Sequence, residues 1–390
     1  GTPMDFWEAV IGGRAVGGPG VLRMLEQAHE AHGRTPWRKL FAPAIEQARQ
    51  GFKVTPRLHR LIKRDDSLTR DPAARDYFFT DSGEPLPIGH RLRNPALADT
   101  LATIAQKGAS AFYEGDIAQA VVRKVRRHPE NPGKLALADL AGYEAKRREP
   151  VCVPYREHRV CGMPPPTSGG TTIAQILGIL SHAGVAAETP MSPEAVHTIA
   201  EASRLAFADR NRFLADPDFV DVPLDRLLDA DYLRRRADRI DPETSMGKAE
   251  PGLAGSHAAA RDDAGGRSTT HFSVVDAEGN VVAVTSSVEQ AFGAHLMVRG
   301  FMLNNQLTDF SFRPRIDGRP VANRVEPGKR PRSSMSPTIV MGPAGEPRHA
   351  LGSPGGSRII GFTALRVIGL LAWDLDMQQA INLPNMTNRN

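Results

Sequence analysis

Only two cysteines, Cys152 and Cys161, occur in the 390 residues. Neither a disulfide-dense scaffold nor a cysteine-rich zinc site can be built from them, so the fold must rest on packing. Long hydrophobic runs are missing too. The longest apolar stretches, Ile173 to Leu180 and Val367 to Trp373, fall well short of the roughly 18 residues of a membrane span. Strong charge of either sign is absent: 49 Lys and Arg stand against 44 Asp and Glu, a net +5 spread along the chain despite a pI near 9.3. The Arg clusters Arg123 to Arg127, Arg234 to Arg236 and Arg313 to Arg332 are interleaved with acids and read as solvated faces, so no nucleic-acid partner is expected. Several catalytic signatures are also lacking. No Gly-x-Ser-x-Gly elbow or Walker Gly-Lys-Ser/Thr occurs, and His29-Glu-Ala-His32 has the wrong spacing for a zinc-protease helix. Gly17-Gly18-Pro19-Gly20 reads as a tight structural turn rather than an anion cradle.

What is present is an ordinary globular composition, 41% hydrophobic and 24% charged, which supplies a sizeable core and is unlike disorder. At about 150 residues per domain the length suggests two or three domains, or one large layered one. The chain starts at Gly1 without a leader and stops at Asn390 just after a helical pattern. It therefore reads as an excerpt, and a missing signal peptide carries no information on location.

The first two thirds read as mostly helical. Gly20 to Gly33 places Val21, Met24, Leu25 and Ala28 on one stripe and stops at a glycine. Asn94-Pro95 offers an N-cap and a first-turn proline for a helix bearing Leu97, Leu101 and Ile104 and ending at Gly108. Another helix is expected after Asp116, and Ser192-Pro193 repeats the start signal before Val196, Ile199, Ala200, Ser203 and Phe207. Between these lies a hairpin pattern from Pro150 to Gly162. A turn at Arg156-Glu157 puts Cys152 opposite Cys161, close enough for a disulfide, although Pro154 weakens the pairing and two free thiols are the alternative. Residues Ala249 to Arg267, rich in Gly, Ala and Asp, read as an exposed loop or linker. From Thr269 the pattern turns strand-like. The loop Ala277-Glu278-Gly279 closes a hairpin whose register sets Thr269 opposite Ser287. A hydroxyl there can hydrogen-bond the Thr269 oxygen and orient it.

Five polar and glycine motifs follow the linker: Ser268-Thr269-Thr270-His271, Ser287-Val288-Glu289, Asn304-Asn305-Gln306-Leu307-Thr308-Asp309, Arg332-Ser333-Ser334-Met335-Ser336-Pro337 and Gly352-Ser353-Pro354-Gly355-Gly356-Ser357-Arg358. Each alone is weak. In this order they resemble the gamma-glutamyltranspeptidases of the N-terminal nucleophile hydrolase superfamily. Met163-Pro164-Pro165-Pro166-Thr167-Ser168-Gly169-Gly170, Ala215-Asp216-Pro217-Asp218-Phe219 and Gly13-Arg14-Ala15-Val16-Gly17 extend the resemblance over nearly the whole chain.

The resemblance implies an α+β fold, a four-layer αββα sandwich truncated at both ends. It divides the chain into a mostly helical large-subunit portion, 1–268, ending in a linker at about 249–268, and a small-subunit portion, 269–390. The two would form a heterodimer and one intertwined unit after self-cleavage between Ser268 and Thr269. A threonine hydroxyl is a poor nucleophile at neutral pH, whereas a threonine with a free α-amine carries its own base. By resemblance, Glu289, Gln306 and Asp309 hold a substrate α-ammonium and Ser333 and Ser334 donate to its α-carboxylate. Gly355 and Gly356 form the oxyanion hole, where glycine allows close backbone approach. The implied activity is transfer of the γ-glutamyl group of glutathione or related amides to water, amino acids or peptides, without metal or cofactor. The alternatives are a glutaryl-type acylase or poly-γ-glutamate depolymerase of the same superfamily, and an inactive or unprocessed binding homologue. The family's carboxylate-binding arginine lies upstream of the segment matching Gly1, so the chain alone is expected to be weak or inactive. The stretch Phe310 to Arg332 is short and holds no tyrosine, which implies an open site. Bacterial members imply a periplasmic or secreted location.

Overall fold

The computed structural model describes residues 3–185, 188–260 and 268–390. They form two compact units, Thr2–Arg147 with Val288–Thr308, and Arg148–Ser287 with Asp309–Asn390. This division differs in kind from the expected covalent cut before Thr269, which falls inside the second unit.

In the first unit the main helices are α1 (Val21–His32), α2 (Pro95–Lys107) and α3 (Gly115–Arg126). Helix α2 starts as its sequence requires: the Asn94 side chain accepts from Leu97 N at 2.9 Å, with Pro95 in the first turn. It ends at Gly108, whose φ of +81° suits glycine. The inner faces of α2 and α3 join Phe112, Tyr113 and Leu140 in a core that also takes in Leu296 and Leu303 of the returning segment. Helix α1 forms where expected, but its burial does not. Val21, Met24 and Leu25 are exposed, and the half-buried side is Leu22 and Arg23, whose backbone N donates to the Tyr113 hydroxyl at 3.1 Å. Helical spacing gave the right conformation and the wrong inward face. Gly33 ends α1 in an extended conformation, φ −72°, rather than as a left-handed cap.

The second unit contains β1 (Val151–Tyr155), β2 (His158–Gly162), β3 (Thr269–Val275), β4 (Val281–Ser287), β5 (Thr338–Met341) and β6 (Pro347–Leu351). An antiparallel sheet runs in the order β6-β5-β2-β1, and β3-β4 is a separate hairpin. Pro154 is tolerated because β1 is an edge strand of that sheet. The turn falls at Arg156-Glu157, Cys152 pairs with Cys161 in register, and the two form a disulfide, which resolves the alternative left by the sequence.

Helix α4 (Gly169–Ala183) packs on β1 and β2 and against α5 (Pro193–Phe213), α6 (Ala230–Ala237) and α7 (Ile359–Leu371). Being enclosed on several sides, α4 is apolar nearly all round. Ile176, Leu177 and Leu180 meet Val160 of the sheet, Leu205 and Phe207 of α5, and Leu365 and Ile368 of α7. Each such buried side chain contributes about 1.5–3 kcal/mol. The mixture of helices and antiparallel strands bears out the α+β class.

One expectation holds in part, since Glu250, Gly252, Ala254, Gly255, Ser256 and Ala259 are exposed. Of the segment read as an exposed linker, residues 249–260 lack regular structure but are tied down. Ala249, Ala258 and Ala260 are buried, Ala258 N donates to Pro320 O at 2.9 Å and Ala260 N to Asn211 O at 3.0 Å. The small side chains that removed any periodicity are the ones that let this backbone lie against the core. Residues 261–267 lie outside the described residues.

Candidate active site

Hairpin β3-β4 has the register read from the sequence: Asp276 N donates to Asn280 O at 3.1 Å, Gly279 takes φ +83°, and Thr269 pairs with Ser287. Strand alternation puts Thr269, His271 and Ser273 on one face with Ser287 and Thr285. Phe272, Val274 and Val282 on the other face are exposed. Thr269 Oγ1 donates to Ser287 Oγ at 3.3 Å, and Ser287 Oγ donates to the Ser268 carbonyl at 3.4 Å. One hydroxyl thus touches both the nucleophile candidate and the carbonyl preceding it.

The polar face continues along β3. His271 Nδ1 lies 2.8 Å from Thr285 Oγ1 and Nε2 lies 3.1 Å from Ser273 Oγ, which itself donates to Ala350 O of β6 at 3.1 Å. Burial pushes the His271 imidazole below its ordinary pKa, favouring the neutral ring. The chain after β6 passes against this ring. A Cβ on Gly352 would sit 2.3 Å from His271 Nδ1, so only glycine fits. Three residues on, Gly355 and Gly356 adopt φ of +140° and +58° and lead through a 3-10 turn into α7. A side chain at either position would be strained.

Ser333 and Ser334 lie on a loop fastened to the start of α4. Ser168 N and Ser168 Oγ each donate to Ser333 O at 2.8 Å, and Thr167 Oγ1 donates to Met335 O at 2.7 Å. A Cβ on Gly169 would come 2.1 Å from Ser336 Oγ, which explains why a glycine opens the helix there. From α5 the buried Arg210 reaches the same place, donating from Nε to Ser168 Oγ and from a terminal nitrogen to Ser334 Oγ, both at 2.8 Å.

Glu289 and Gln306 belong to the first unit, Asp309 to the second. Glu289 is buried with a left-handed backbone, φ +77°, and its carboxylate accepts from Asn305 Nδ2. Asn305 Oδ1 in turn accepts from Gln290 N at 2.9 Å. Gln306 and Asp309 share one 3-10 turn, and Asp309 O accepts from Asn323 Nδ2 at 2.8 Å. Asn304 exchanges two hydrogen bonds with the Gly17 backbone, and the glycine run passes there without a turn rather than as the tight turn expected. The model of the family described as gamma-glutamyltranspeptidase matches residues 4–390.

The chain belongs to the gamma-glutamyltranspeptidase family. It is 37% identical over 395 residues to a glutathione hydrolase proenzyme of Escherichia coli (strain K12), covering 98% of this chain and 66% of that protein. It is 35% identical over 380 residues to the acylase ACY 1 proenzyme of Pseudomonas sp. (strain SE83), covering 97% and 65%. The chain thus spans just under two thirds of the length of these relatives. A cephalosporin acylase from Bacillus halodurans superposes with a TM-score of 0.83 at 24% identity, over 99% of this chain and 68% of the other, and so shares its fold.

Within this family frame the structure adds residues that sequence reasoning passed over. Thr167-Ser168-Gly169-Gly170 carried part of the resemblance without a task; it is the seat of the Ser333-Ser334 loop. Arg210 was not singled out at all. It shares the buried side of its helix with Glu201, Ser203 and Asp209, and its target lies 124 residues away in sequence. His271 and Thr285 extend the Thr269-Ser287 face, and strict alternation alone would have named them.

Proposed function

We propose that the protein is a self-processing hydrolase and transferase that cleaves the γ-glutamyl amide of glutathione and related compounds. The observation that carries this reading is the Ser287 hydroxyl between Thr269 Oγ1 and the Ser268 carbonyl oxygen, at 3.3 and 3.4 Å. In the first stage Thr269 Oγ1 attacks the Ser268 carbonyl carbon while Ser287 donates to the oxygen on which charge develops. The C–N bond breaks, the Thr269 nitrogen takes the proton, and the acyl group rests on the threonine oxygen as an ester. Water hydrolyses the ester, leaving a carboxylate on Ser268 and a free amine on Thr269. The two chains so formed make a heterodimer.

In the second stage that amine is the base for its own hydroxyl. Thr269 Oγ1 attacks the γ-carbonyl of the substrate, the backbone N–H groups of Gly355 and Gly356 receive the oxyanion, and the leaving amine departs with the proton. Water or an amino acid or peptide amine then takes the acyl group from Thr269. Glu289, Gln306 and Asp309 supply acceptors and negative charge for the α-ammonium, and Ser333 and Ser334 supply donors for the α-carboxylate. The relatives named as proenzymes support self-processing, and the positive φ of Gly355 and Gly356 supports close backbone approach. The Cys152–Cys161 disulfide supports a periplasmic or secreted location, since such bonds persist in oxidising compartments.

The test is Thr269→Ala in the full-length protein. We expect one uncleaved band on a denaturing gel and no glutathione hydrolysis, while wild type gives a smaller fragment whose first residue is Thr269. Activity surviving in the Ala variant rejects the role given to Thr269. The acylase relative supports a second reading, cleavage of glutaryl-type side chains. Comparing γ-glutamyl with glutaryl anilides separates the two, and acceptors for an ammonium group at Glu289 and Asp309 favour the first.

A further inference from the structure

Arg210 is only 1% exposed, in the last turn of α5, and each of its guanidinium nitrogens has an acceptor. Nε donates to Ser168 Oγ at 2.8 Å, one terminal nitrogen to Ser334 Oγ at 2.8 Å, and the other to Asn211 Oδ1 at 3.2 Å. The guanidinium carbon sits 5.3 Å from the centroid of the Phe207 ring, which fixes its plane. A guanidinium has five donors and no acceptor, so Ser334 Oγ can only accept from it. Because it accepts from an N–H, the half-buried Ser334 hydroxyl keeps its own proton to donate to another partner. Ser168 holds the neighbour by its backbone: its hydroxyl accepts from Arg210 and donates to the Ser333 carbonyl, which also accepts from Ser168 N. The base of the loop is anchored separately, by Arg332 donating to the carbonyls of Arg210 at 2.9 Å and Leu214 at 3.3 Å.

We propose that Arg210 is a positioning residue for recognition of the substrate α-carboxylate, acting through Ser334 directly and through Ser168 on Ser333. This rests on the reading of Ser333 and Ser334 as the carboxylate donors. A hydroxyl that accepts from a cation is a stronger donor to an anion, because the two bonds polarise one another in series. The planar fork matters as much as the charge: only an arginine reaches Ser168 Oγ and Ser334 Oγ with two parallel donors, whereas a lysine offers a single point.

The test compares two anilides on the full-length, processed protein: the γ-glutamyl anilide, and the isoglutamine γ-anilide, whose α-carboxylate is replaced by a neutral amide. The ratio of their kcat/KM values reads carboxylate recognition and cancels general loss of active protein. In Arg210→Lys we expect the ratio to fall about 10-fold, the scale of one hydrogen bond to a charged group, through KM of the γ-glutamyl anilide with kcat little changed. In a Ser334→Ala background Arg210→Lys is expected to lower the ratio by less than it does alone, the remainder passing through Ser168 and Ser333. If Ser334→Ala itself leaves the ratio unchanged, the carboxylate reading of that serine fails and the inference fails with it. If Ser334→Ala lowers the ratio and a folded, processed Arg210→Lys does not, the role of Arg210 is overturned while the carboxylate reading stands. Should Arg210→Lys not fold, Ser168→Ala keeps the guanidinium and removes its Nε acceptor. A fall in the ratio there supports the inference, and an unchanged ratio overturns it.

Discussion

Replacing Ser287 by alanine should slow self-cleavage far more than it destabilises the fold. In the resting chain the hydroxyl makes contacts of 3.3 Å to Thr269 and 3.4 Å to the Ser268 carbonyl, both at the long end of the hydrogen-bond range. Losing such bonds costs about 1 kcal/mol or less, a shift of a few degrees at most in the thermal midpoint. The balance changes when Thr269 attacks. Negative charge then develops on the Ser268 oxygen, the contact shortens, and a donor to such an oxyanion is worth about 3 kcal/mol. At about 1.4 kcal/mol per factor of ten, the variant should cleave roughly 100-fold or more slowly. Ser287→Thr, which keeps a hydroxyl at the same register position, should cleave at a rate near wild type. The assay incubates freshly folded precursor and follows the smaller fragment on a denaturing gel. Cleavage of Ser287→Ala within about three-fold of wild type, with the fold intact, refutes the assignment.

Two further outcomes follow from the same geometry. Gly352→Ala places a methyl 2.3 Å from His271 Nδ1 and must displace either the ring or the loop leading to Gly355 and Gly356, so kcat/KM should drop by at least ten-fold; steady-state kinetics near wild type would contradict the tight packing. His128, His257, His271 and His349 are all held below the ordinary histidine pKa of 6.5, chiefly by burial. The unfolded chain therefore binds more protons than the folded one below that value, and stability should fall as pH drops through 6.5. A melting midpoint that rises between pH 8 and pH 5.5 would contradict this.

The sequence by itself determined what depends on near neighbours. Asn94-Pro95 and Ser192-Pro193 mark helix starts because the capping side chain and the proline act within a single turn. The hairpin register that pairs Thr269 with Ser287 follows from strand alternation and one glycine. Even the choice of Cys152 opposite Cys161 was fixed locally, although whether the bond forms was not.

Tertiary structure alone decided which faces turn inward and which distant groups meet. The apolar stripe of α1 is exposed because no layer of the described residues covers it, and spacing cannot report on a partner. Ala249, Ala258 and Ala260 are buried because other segments accept backbone hydrogen bonds of this loop, which composition does not encode. Ser168, Arg210 and Ser334 come together only when α4, α5 and the loop before β5 pack side by side. A buried arginine has to find its acceptors somewhere, but the fold, not the sequence interval, decides where.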